Sequence, residues 1–165
     1  LVASASLLAA LSLTMAQPSF AATHGEEPSF TVDLPAGAGC SFPLRLESSS
    51  GKVRTISFTT ENGQPGRIIS VKTGVVLTYT NLATEESVSI KTSGSVTSAV
   101  PIDGVTELHT ATGHNRLILF PDDVPNGPTT TQYNGKIVYT FNTQTFFIEV
   151  VETSGKATDI CAELS

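Results

Sequence analysis

The stretch Val75-Val-Leu-Thr-Tyr-Thr-Asn81 sets Val75, Leu77 and Tyr79 at alternate positions, with Thr78 and Thr80 between them. In an extended chain successive side chains point to opposite faces, so this spacing predicts a strand with one apolar and one polar face. Runs of the same kind recur on either side. They are Phe30 to Leu34, Phe42 to Glu47, Val53 to Thr59, Arg67 to Lys72, Val88 to Lys91, Val105 to Thr112, Asn115 to Phe120, Lys136 to Phe141 and Thr145 to Glu152. From residue 23 onward no stretch repeats its apolar residues at a helical period. The chain therefore reads as all-β. The predicted fold is an antiparallel β-sandwich, with a closed β-barrel as the alternative.

Alternation also assigns faces. Phe42, Leu44 and Leu46, then Ile137, Tyr139 and Phe141, then Phe146, Ile148 and Val150 are predicted to point inward. The run Arg116-Leu-Ile-Leu-Phe120 is apolar at both parities, as in a strand covered on both faces. Ser50-Gly51, Asn62-Gly63, Thr73-Gly74 and Asn134-Gly135 carry turn chemistry and are expected to close hairpins. Two stretches read as loops, Thr92 to Gly104 and Pro121 to Gln132.

Composition narrows the function classes. The 165 residues carry 9 Lys+Arg against 15 Asp+Glu, a formal charge of -6, with no basic cluster. Binding to nucleic acid would need positive charge to displace counterions from phosphates, so it is not expected. One domain's length also excludes the large barrel and dinucleotide-binding enzymes.

Residues 1–22 contain no charged side chain, and the run from Leu1 to Met15 is apolar or small throughout. It has the character of the apolar core of a secretory signal, whose basic leading segment is missing ahead of Leu1. Pro18 and Ser19-Phe20-Ala21 supply a helix break and small residues for a peptidase, so cleavage is expected after Ala21. The predicted organisation is a signal peptide over 1–21, an N-terminal segment and linker over 22–37, and a β-sandwich domain over 38–165. A secreted, extracellular location follows, without stable membrane insertion of the mature form. In that oxidising setting the two cysteines, Cys40 and Cys161, are expected to form one disulfide that clasps the first and last elements of the domain.

Several pieces of the chain resemble a family. Asn62-Gly63, Gly66-Arg67-Ile-Ile, the stretch from Leu77 to Val88, Asp103-Gly104, Thr110-Ala-Thr-Gly113-His-Asn115 and Asp159-Ile-Cys161-Ala-Glu-Leu164 are similar to those of uncharacterised small exported β-proteins of actinobacteria. The resemblance covers about residues 38–164. It implies export and a fold class, and supplies no catalytic residue.

Chemistry-bearing residues are sparse. His109 and His114 flank Gly113, with Glu107 on the same strand face as His109. A zinc site needs three or four converging ligands, and His24 lies in the N-terminal segment, so no metal and no cofactor is expected. Asp122, Asp123 and Asn126 gather oxygens in the loop from Pro121 to Gln132, with Tyr133 beside them. These four form the candidate binding loop. The stretch is no EF-hand, because Val124 and Tyr133 stand where oxygen ligands are needed. No G-x-S-x-G elbow is present, and Glu107, Glu149 and Asp122 show no spacing that pairs them for glycoside hydrolysis. Sugar stacking would rest on Tyr133, since Tyr79 and Tyr139 fall on inward parity.

The expected function is therefore a secreted, non-catalytic β-sandwich module acting by surface contact, through that loop or an exposed sheet edge. Its partner would be an extracellular protein or a cell-wall component of unknown identity. The alternatives are a small extracellular hydrolase using loop carboxylates or His109, and a structural cell-envelope protein.

Overall fold

A computed structural model describes residues 19–92 and 94–165. Of the expected signal peptide, residues 1–18 lie outside the described residues. The elements in chain order are β1 (Phe20–Glu27), β2 (Phe30–Leu34), β3 (Leu44–Ser48), β4 (Gly51–Thr59), β5 (Pro65–Thr73), β6 (Val75–Asn81), β7 (Ser87–Thr92), β8 (Ser95–Pro101), β9 (Thr106–Leu119), β10 (Thr129–Asn142), β11 (Ile148–Asp159) and a single helical turn α1 (Ile160–Glu163). Two antiparallel sheets result. The larger runs β1-β4-β5-β8-β9-β10-β11 and the smaller β2-β3-β6-β7. Neither closes on itself, so the fold is a β-sandwich and not a barrel.

The smaller sheet follows the alternation read from the sequence. Along β6 the odd positions Val75, Leu77, Tyr79 and Asn81 are buried and the even ones are not. Leu46 lies opposite Tyr79 and Leu44 opposite Asn81, so both strands turn their apolar faces the same way. These residues form one cluster with Ile160 and Leu164, onto which Ile118 of β9 packs from the larger sheet. A second cluster joins Ala111, Leu117 and Leu119 to Ile137. The run at 116–120 thus feeds both clusters, Ile118 into the first and its neighbours into the second.

The two cysteines are bridged, Cys40 to Cys161, with their Cα atoms 5.5 Å apart. Asp159 caps α1 by accepting from the Ala162 N–H at 3.1 Å, and Asn81 donates to the Leu164 carbonyl at 2.9 Å. The last elements are thereby tied to both sheets.

Local turn chemistry misassigned several connections. Of the four predicted turns, only Asn62-Gly63 closes a hairpin, between β4 and β5. The chain at Ser49-Ser50 and at Gly74 crosses between the sheets instead. Asn134-Gly135 lies in the middle of β10. There Gly135 pairs with Gly113 of β9 on one side and with Gly155 of β11 on the other. A Cβ added at Gly113 would lie 2.0 Å from the Gly94 carbonyl oxygen, and one at Gly135 2.1 Å from that of Ser154. The three glycines serve close backbone approach across adjacent strands, not a turn. Two further segments differ from expectation. The stretch read as a loop at 92–104 contains β8, and residues 22–37, read as segment and linker, supply most of β1, while the strand expected at Phe30 to Leu34 forms as β2. His24 accordingly sits in β1, opposite Arg54. Among the described residues no helix is long and apolar enough to cross a membrane.

Candidate functional site

The loop singled out by sequence spans 120–128, because β10 begins at Thr129. Its two carboxylates do different work. Asp123 is buried, and its oxygens accept from the Phe120 and Ile148 N–H groups, both at 2.7 Å. These two hydrogen bonds from the backbone make Asp123 a fastener of the loop. Asn126 is exposed but tied to its own loop, donating to the Pro121 carbonyl at 2.8 Å. Asp122 is exposed. Tyr133 is not in the loop at all: it stands on β10, packs against the second core cluster, and burial pushes its phenol pKa up. The four predicted residues therefore do not converge on one point.

The structure gathers a different surface around that loop. Val124 donates to the Ile148 carbonyl at 2.9 Å and accepts from the Val150 N–H at 2.8 Å, which stitches the loop to the start of β11. The turn between β10 and β11 is joined on its far side to the loop after β8, the Thr143 N–H donating to the Val105 carbonyl at 2.8 Å. Asp103 orders that loop by accepting from the Val105 and Thr106 N–H groups, which holds its carboxyl below the usual carboxylate range. Three loops thus form one end of the sandwich. They expose Ile102, Phe120, Val124, Phe146 and Phe147. Phe146 is 69% exposed and has a φ of 62°, a left-handed conformation that costs a bulky side chain free energy. The sequence reading placed Phe146 inward, because parity fails where the backbone leaves the extended region. The only local signal was Asn142, whose side chain accepts from the Gln144 and Thr145 N–H groups to shape the turn.

From Phe146 an aromatic row leads along the sheet. Its ring lies 6.1 Å from that of Phe141, which meets His109 edge-on at 5.9 Å, and His109 stacks on Tyr139 at 5.0 Å. His109 Nε2 is 2.9 Å from Glu107 Oε2, while its Nδ1 is 3.4 Å from the Tyr139 hydroxyl. Burial, with the Glu107 charge in support, pushes the Tyr139 phenol pKa up.

Tyr139 also lines a cavity of about 190 Å³. Ser48, Val75 and Leu77 of the smaller sheet wall one side, and Lys72, Ala111 and Arg116 of the larger sheet the other. Glu27, at the end of β1, pairs with Lys72 at 2.6 Å through Oε1, and its Oε2 is buried with no hydrogen-bond partner. Arg116 is mostly withdrawn from water, which lowers its pKa against the opposing influence of Tyr79 and Glu27. Its guanidinium lies 5.1 Å from the centre of the Phe30 ring. His114 stands on the same wall. Among the described residues no group of three or more His, Cys, Asp or Glu side chains could hold a metal ion.

No family model, curated protein or solved structure matches this chain.

Proposed function

We propose that the protein is an exported, non-catalytic β-sandwich module that acts by surface contact, through the end of the sandwich formed by the loops at 102–105, 120–128 and 143–147. The observation that carries this reading is Phe146, which the fold keeps in water and in a left-handed backbone conformation at once. Either feature alone costs stability, and their coincidence at a loop tip among other exposed apolar side chains is the mark of a contact surface. The Cys40–Cys161 bridge is compatible with an extracellular setting, and the resemblance to small exported actinobacterial proteins points the same way.

Co-sedimentation of the secreted chain with insoluble cell-wall material, at low and high salt, tests the reading. Salt-resistant pelleting that Phe146→Gly abolishes is expected for apolar contact with a wall component, and the variant should keep its thermal midpoint because glycine relieves the left-handed strain. Pelleting that is indifferent to Phe146→Gly overturns the assignment to this end and favours a structural envelope role. A protein that stays in the supernatant directs the same variant pair to capture of an extracellular protein partner.

A second reading, a small extracellular hydrolase, is favoured by the Glu107–His109 contact, in which a carboxylate orients an imidazole. Its test is activity on ester and glycoside substrates that His109→Ala removes with the fold intact.

A further inference from the structure

We propose that the cavity between the two sheets binds a small hydroxylated monocarboxylate. Of the Arg, Lys and Glu side chains on its wall, Lys72 and Glu27 neutralise one another at 2.6 Å. Arg116 is left over. No hydrogen-bonding or ion-pair partner faces its guanidinium among the described residues, and the Phe30 ring covers one side of it. A guanidinium stays charged, and the Glu27 carboxylate whose charge reaches Arg116 is already engaged by Lys72, so the largely desolvated guanidinium is under-compensated in a way that one bound anionic group offsets. The charges of Glu27, Lys72 and Arg116 on the wall sum to a single positive unit, which fits a monoanion and leaves a zwitterion undercompensated.

The second half of the recognition comes from Glu27. Its Oε2 is buried and has no donor, while Oε1 is taken by Lys72. A buried acceptor of this kind asks for an O–H or N–H, and because the carboxylate is already paired, a neutral hydroxyl suits it better than a second cation. The ligand must therefore present a carboxylate to Arg116 and a hydroxyl to Glu27 from one small skeleton. Ser95 and Thr97 add hydroxyls beside these groups, and Val75 and Leu77 give the apolar wall. The volume, about 190 Å³, suits a compact ligand such as a short hydroxy acid or a single sugar acid. Glu27, Lys72 and Arg116 come from β1, β5 and β9 of one sheet, so the arrangement is built by the fold and not by one loop. The site is independent of the end surface proposed above.

The test is an amide NMR titration of the disulfide-bonded protein with glycolate, glycerate and glucuronate, against acetate and alanine, at mildly alkaline pH and constant ionic strength. The hydroxy acids should shift the amides around Ser95 to Thr97 and Asn115 to Arg116, and the best of them should bind about tenfold more tightly than acetate, the worth of one hydrogen bond to a charged group. Whether the short hydroxy acids or glucuronate bind best tells a metabolite-like ligand from a sugar acid, and either supports the site. Arg116→Met should abolish the shifts. Should that variant unfold, Glu27→Gln serves instead, and is expected to reduce the hydroxy acids to the level of acetate. Absence of shifts at these amides, equal binding of acetate and glycolate, or hydroxy-acid binding that survives both substitutions overturns the proposal.

Discussion

The hydroxyl of Tyr79, on the smaller sheet, donates to Gln132 Oε1, on the larger, at 3.0 Å, and Gln132 Nε2 donates in turn to the Asn115 carbonyl at 3.1 Å. Both side chains are buried. The sandwich therefore contains a polar tie through its apolar interior, and burial pushes the Tyr79 phenol up to about 12.

An unfolded tyrosine ionises near pH 10, so the folded state holds the phenolic proton more tightly than the unfolded state does. The stabilisation is complete below about pH 10 and is lost as pH rises from there to about 12, by roughly 2–3 kcal/mol in all. Tyr133 and Tyr139, whose values are also raised, act in the same direction. Urea midpoints measured against pH should hold level to mildly alkaline conditions and then fall. Tyr79→Phe should flatten part of that fall while costing about 1–2 kcal/mol at neutral pH, because Gln132 Oε1 loses its donor.

Adjacent carboxylates in the 120–128 loop should behave as opposites. Asp123→Ala leaves two backbone N–H groups without acceptors and is expected to cost about 2–4 kcal/mol. Asp122→Ala, at an exposed position, should stay within about 0.5 kcal/mol of the parent. Chemical denaturation of the two variants side by side checks this, and equal losses would contradict the roles given to them.

The glycine row across β9, β10 and β11 makes a graded prediction. Gly113→Ala combines a φ of 83° with a Cβ driven to 2.0 Å from a backbone oxygen, and should destabilise by more than about 3 kcal/mol or prevent folding. Gly104→Ala meets nothing within 4 Å and has no left-handed φ, so its thermal midpoint should match the parent's or exceed it slightly.

Reduction should be costly. Cys40 and Cys161 are 121 residues apart, and the chain-entropy model gives about 5 kcal/mol for a loop of that length. Urea unfolding with and without reductant, and of Cys40→Ser with Cys161→Ser, should show a loss of that order. A loss under about 1 kcal/mol would mean that the unfolded chain is already compact without the bridge.

What the sequence made legible were the strands whose alternation is strong and whose partners are close. Val75, Leu77 and Tyr79 announced β6, and Leu44 and Leu46 announced β3. β8 escaped because Ser-Val-Thr-Ser-Ala-Val-Pro101 is built of small residues with little apolar contrast. Asn134-Gly135 misled because a dipeptide favoured in turns also permits close strand approach, and only the neighbouring Gly113 and Gly155 decide between the two. Among the site residues, Asp122, Asp123 and Asn126 were correctly placed in one loop, but which carboxylate faces the backbone depends on Ile148, a residue distant in the chain. Glu27, Lys72 and Arg116 gave no local sign, since three separate strands bring them to one cavity.

The path of the chain between the sheets sets the order in which the molecule can assemble. It crosses after β1, β3, β5 and β7, so the smaller sheet draws its hairpins from both sides of the β4–β5 hairpin. The longest run of sequential neighbours in one sheet is β8, β9, β10 and β11. That meander is the part able to form early from near-neighbour contacts, whereas β8 must find β5, and β6 must find β3, across long stretches of chain. Refolding of the disulfide-bonded protein is therefore expected to be slow, because the pairings that join the hairpins into two sheets are non-local.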